Sequence, residues 1–102
     1  MRRLTRRLPG ETGYRVDAPD GVLRGDGWYG PAVDRLAAYE NLQETLSERV
    51  RAIPGELAAL RAQGREKSVA FRERMAQMLL YQQWLALARD AGAEEETPPA
   101  RS

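Results

Sequence analysis

Leu36-Ala37-Ala38-Tyr39-Glu40-Asn41-Leu42-Gln43-Glu44-Thr45-Leu46-Ser47-Glu48-Arg49-Val50-Arg51-Ala52-Ile53-Pro54-Gly55-Glu56-Leu57-Ala58-Ala59-Leu60 decides the fold of this chain. Leu36, Tyr39, Leu46, Val50, Ile53, Leu57 and Leu60 recur in alternating steps of three and four, and Gln43 takes the one polar place in the series. Sustained for more than three heptads, that spacing lays one apolar seam along a helix and points it at a partner helix. Glu40, Glu44, Glu48, Arg49 and Arg51 flank the seam and keep the outside of the helix wet. Pro54-Gly55 interrupts it. Proline inside a helix deletes a backbone hydrogen bond and crowds the carbonyl four residues back, so a kink, or a restart with Pro54 in a new first turn, is expected.

Working outward, Tyr29-Gly30-Pro31 opens the helix, since proline suits the first helical turn. Gly64 is a candidate C-cap, and Ser68 a candidate N-cap for a last helix reaching about Ala91, with Gly92 behind it. The main face of that helix is read as Phe71, Met75, Met78, Leu79, Leu85 and Ala86, with Leu80, Trp84 and Leu87 opposite. Upstream, Pro9-Gly10-Glu11-Thr12-Gly13 is turn chemistry between two short apolar runs and predicts a β-hairpin over about 3–8 and 13–17. Residues 20–27 read as loop. The expected protein is mainly α: residues 1–29 as a short N-terminal β-hairpin and loop, and 30–92 as a long kinked helix with a second antiparallel helix. Residues 93–102 are read as a flexible acidic, proline-ending tail. The helical hairpin is coiled-coil-like, and its seam meets the Phe71–Leu85 face within one chain or between two. Gln43 is read as setting register in a dimer or higher homo-oligomer.

Composition narrows the chemistry. At 102 residues the chain has the size of one small domain. It has no cysteine and no histidine, which excludes thiolate metal sites, disulfides, imidazole ligation and Ser-His-Asp catalysis. No carboxylate pair has a spacing that suggests acid–base work, and no cofactor or metal is expected, so the chain reads as not an enzyme. Asp17, Asp20 and Asp26 lack the spacing and terminal Glu of a calcium loop. The 16 basic and 15 acidic residues leave a net charge of +1, well short of a dedicated nucleic-acid binder. No apolar run reaches the ~20 residues that span a bilayer. The basic start lacks an apolar segment behind it, so a cytoplasmic protein with no membrane partner is expected.

Two patches are candidate sites. Leu80, Trp84 and Leu87 carry apolar surface on the second side of a helix that one neighbour cannot cover. Tryptophan dominates binding energy where it is desolvated, so these three residues are candidates for contact with a protein partner or for self-association, the other reading being that the N-terminal hairpin covers this face. Arg2, Arg3, Arg6 and Arg7 could contact phosphates, although strand alternation divides them between two faces. Trp28 and Tyr29 could stack a base, or pack the hairpin onto the helix that follows. Together they give the alternative reading, a small nucleic-acid- or nucleotide-binding protein. Glu94, Glu95 and Glu96 are read as part of a solvated terminus.

The stretch Tyr29-Gly30-Pro31-Ala32-Val33-Asp34-Arg35-Leu36-Ala37-Ala38-Tyr39-Glu40 resembles a segment of small uncharacterised proteins encoded by bacteriophages and prophages of gut bacteria, which carry "RLAAYE" after a short "RLT" strand. Met1-Arg2-Arg3-Leu4-Thr5 is similar to that opening, and Phe71 through Gln83 to their last helix. After Glu40 the pattern departs, with Asn41-Leu42-Gln43 in place of an Asp-Thr-Gly turn. The resemblance implies an accessory gene of a mobile element, acting in the host bacterial cytoplasm. The function expected is a non-catalytic interaction protein. Its most specific form is an anti-CRISPR-like inhibitor of a bacterial defence complex, by analogy with other small proteins of that setting.

Overall fold

Four short strands precede two helices: β1 (Thr5–Arg7), β2 (Tyr14–Val16), β3 (Val22–Arg24), β4 (Gly27–Tyr29), α1 (Pro31–Ala62) and α2 (Val69–Asp90). The computed structural model describes residues 1–93, so the expected tail lies, from residue 94 onward, outside the described residues. The chain forms two compact units that divide within α1, the first Met1–Asn41 and the second from Leu42 onward.

In the first unit, β1 and β2 form the expected antiparallel hairpin, with Thr5 opposite Val16, Arg6 opposite Arg15 and Arg7 opposite Tyr14. Pro9 and Gly10 hold the middle of its first turn, closed by Glu11 N–H on the Leu8 carbonyl at 3.4 Å. Gly10 has φ +70°, as the third position of a type II turn requires. Residues 20–27, expected as loop, instead build most of a second hairpin. Leu23 faces Trp28 and Arg24 faces Gly27 across it. The connection is Gly25-Asp26; Gly25 has φ +51°, and among the described residues no non-glycine, Asp26 included, has a positive φ. That is the pattern of a type II′ turn, whose twist matches the strands it joins. Trp28 and Tyr29 stay exposed on β4, so neither serves as a buried staple against a helix.

The start of α1 is tied back to the strands. Ala32 N–H donates to the Asp20 carbonyl at 2.9 Å. Arg35 Nη1 donates to the Arg2 carbonyl, and Tyr39 Oη to Met1 Sδ at 3.8 Å. Leu4 is the buried hydrophobe of this unit.

In the second unit α1 and α2 form an antiparallel helical hairpin. Arg74 pairs with Glu56 at 2.8 Å and Arg61 lies over the Phe71 ring at 5.1 Å, so rising numbers on one helix meet falling numbers on the other. The seam supplies the core: Leu46, Ile53 and Leu57 are buried, and Val50 and Leu60 half-buried. Leu36 and Tyr39, read as part of the same seam, belong to the first unit and are exposed. A 22-residue α2 can match at most 22 of the 32 residues of α1. On α2 the inward side is Phe71, Arg74, Met75, Met78, Tyr81 and Leu85, all half-buried. Leu79 and Ala86, expected there, are exposed, because at 100° per residue they fall to one side of the Phe71–Met78–Leu85 line.

Both helix ends beyond α1 follow the local code. Gly64, with φ +69°, donates to the Arg61 carbonyl at 2.9 Å, and Arg65 N–H to Leu60 at 2.8 Å. Gly92 and Ala93 repeat the pair on Arg89 and Ala88. Each is the double bond of a Schellman cap. Ser68 Oγ accepts Phe71 N–H at 3.1 Å and caps α2. Of the two outcomes expected at Pro54, a kink or a restart, the restart does not occur. α1 runs through that proline from Pro31 to Ala62.

Candidate functional site

The outer face of α2 comes first. Leu80, Trp84 and Leu87 follow at steps of four and three, which keeps them on one side of a helix. They are 54%, 49% and 68% exposed, and Val69, earlier on the same stripe, is also exposed. The opposite side of α2 is occupied by α1 through Phe71, Met75 and Met78. The helix thus carries apolar groups on two sides and has only one of them packed. A side chain with the area of Trp84 in open water is a ready anchor for a protein contact.

The N-terminal arginines do not merge into one basic surface. Arg2 lies 3.7 Å from Asp20. Arg6 and Arg15, directly opposite on β1 and β2, would repel, but Asp17 stands 3.7 Å from the first and 3.1 Å from the second. Arg3 and Arg7 converge on Tyr14. Arg7 hydrogen-bonds the phenol and, with the nearby charge of Arg3, holds its pKa below the ordinary tyrosine value, while the Arg3 guanidinium lies 5.5 Å above the ring. Arg24 sits 6.0 Å over Tyr29. Trp28 has its cross-strand partner in Leu23, and the arginine at Tyr29 is Arg24 rather than one of the four on the N-terminal segment. Asp17 and Asp20 are engaged by arginine, and no metal-ligating cluster forms among the described residues.

A third feature was not legible in the sequence. In the first unit a groove of about 440 Å³ runs between the N-terminal segment and the start of α1. Met1, Leu4, Leu36 and Tyr39 make its apolar walls, and Arg3 and Arg35 its charged ones. The only advance signal was Leu36 and Tyr39, seam positions placed before the reach of a shorter partner helix. Nothing in the spacing pointed to Arg35.

No helix among the described residues is long and apolar enough to cross a membrane. No family model, curated protein or solved structure significantly matches this chain.

Proposed function

We propose that this chain is a non-catalytic interaction protein that docks on a partner protein through Leu80, Trp84 and Leu87 on the outer face of α2. The observation that carries the reading is the exposure of these three apolar side chains together, on a helix whose other side is already packed against α1. The likeness of Tyr29–Glu40 to phage and prophage proteins supports a setting in an infected or lysogenic bacterium, in its cytoplasm. Inhibition of a host defence complex is the sharpest form of the proposal. Self-association through the same stripe is its homo-oligomeric form. The nucleic-acid reading has less behind it, since Asp17 and Asp20 already engage Arg2, Arg6 and Arg15.

Capture from host-bacterium lysate, run in parallel with wild type, Trp84→Ala and Arg7→Gln, tests the reading. The expected result is a protein held by wild type and Arg7→Gln, lost with Trp84→Ala, and retained as salt is raised. A phosphate-driven contact would fall steeply with log salt instead. Identical capture by wild type and Trp84→Ala would overturn the proposal. Sedimentation of the purified chain at high micromolar concentration reads the oligomeric form, for which a compact monomer is the contrary result.

A further inference from the structure

The geometry points to the groove of the first unit as a binding site for a small amphiphilic anion, one carboxylate on an apolar body. Its volume of about 440 Å³ lies within the range that takes small organic ligands. Met1, Leu4, Leu36 and Tyr39 offer an apolar bed, and no acidic residue among the described ones lines it.

Charge decides the head group. Arg2, Arg6 and Arg15 each have a carboxylate within 4 Å, and none of them lines the groove. Arg3 and Arg35 do line it, and among the described residues neither has a carboxylate partner. Arg3 spends Nε on the Thr5 carbonyl and hydroxyl at 3.2 and 3.0 Å, which fixes its stem, and its guanidinium rests 5.5 Å above the Tyr14 ring, so its charge meets no carboxylate among the described residues. Arg35, half-buried, spends Nη1 on the Arg2 carbonyl, and no carboxylate among the described residues pairs with its guanidinium. A partly desolvated guanidinium without a counter-charge favours an anion, and guanidinium binds carboxylate with directional, charge-assisted hydrogen bonds. The bed beneath accounts for the apolar part of the ligand.

Calorimetric titration of the full chain with octanoate, set against octan-1-ol as its uncharged match, tests the site. One octanoate per chain is expected, with the alcohol bound at least about tenfold more weakly. Arg3→Gln and Arg35→Gln should each weaken octanoate by about tenfold or more. Arg35→Gln also removes a bond that ties α1 to the backbone of the N-terminal segment, whereas Arg3→Gln gives up only local bonds to Thr5. Arg3→Gln therefore serves as the deciding variant should the former lose its native circular dichroism. Trp84→Ala, which alters the α2 face alone, should leave octanoate affinity unchanged, so this site and the α2 docking face fail separately. Absence of octanoate binding, equal binding of acid and alcohol, or loss of binding in Trp84→Ala would each overturn the assignment.

Discussion

Arg74 on α2 donates from Nε to Oε1 of Glu56 on α1 at 2.8 Å, and that carboxylate already holds Arg49. Arg49 reaches it with both amino groups, Nη1 to Oε2 at 2.8 Å and Nη2 to Oε1 at 3.3 Å. Arg49 and Glu56 stand on either side of Pro54, where the ladder of α1 lacks an N–H. One carboxylate therefore braces the weak turn of the long helix and fastens the second helix to it.

Glu56→Gln should lower stability in a pH-dependent way. The hydrogen bond from Arg49 leads, with that from Arg74, in holding the Glu56 pKa below the usual carboxylate value against the opposing effect of desolvation. A depressed folded pKa means that the unfolded chain takes up the proton first. The stabilisation is then complete above the unfolded pKa of about 4.3 and fades as pH falls through the folded one. Urea midpoints of wild type and Glu56→Gln should differ most at neutral pH and converge in acid. A gap that persists unchanged in acid would assign the role of Glu56 to packing rather than charge.

Ile53→Ala should cost about 2–5 kcal/mol, because Ile53 is fully buried between the helices and its removal leaves a cavity. Leu80→Ala, at a site 54% exposed, should stay within about 0.5 kcal/mol. Urea unfolding measures both. A large loss with Leu80→Ala would mean that the α2 face already has a structural role.

Pro54→Ala should stabilise the chain by about 1–3 kcal/mol, since alanine restores a donor toward the Val50 carbonyl and removes the ring that crowds it. Pro54 is exposed, so no packing is lost. Thermal melting gives the sign directly. A lowered midpoint would show that α2 needs the backbone shape that proline imposes.

The helical hairpin was readable because its signals are local and repeated: a seam at three–four spacing, Ser68 as cap, and Gly64 and Gly92 as stops. The second β-hairpin was missed although Gly25-Asp26 between Val22-Leu23-Arg24 and Gly27-Trp28-Tyr29 is a turn of the right length and type. Three-residue strands carry too little alternation to outweigh a stretch dense in glycine and aspartate. Pro54 was weighted by its intrinsic cost, yet the packing of Leu46, Ile53 and Leu57 lies on both sides of it and keeps the helix continuous. On the candidate sites, the apolar stripe of α2 could be counted off the periodicity. The groove could not, because Arg3 and Arg35 meet it through tertiary contacts 32 positions apart in the chain.

Gly30→Ala should be among the most damaging changes in the first unit, at about 2–4 kcal/mol. Gly30 has φ +130°, a region that side-chain-bearing residues rarely enter. A Cβ there would stand 2.5 Å from the Asp20 carbonyl oxygen and 2.9 Å from its carbon, and both atoms are backbone. That oxygen is the acceptor for Ala32 N–H, and the Asp20 side chain holds Arg2 at 3.7 Å. Relieving the clash therefore moves the residue that ties the strands to α1. Gly25→Ala is the control: its φ is +51°, but nothing lies within 4 Å of the new Cβ, so only the local conformational cost of about 1–2 kcal/mol applies. Amide exchange at Ala32 separates the two. It should accelerate strongly in Gly30→Ala and little in Gly25→Ala, and equal acceleration in both would show that conformational strain, not the close approach of Asp20, makes glycine necessary at position 30.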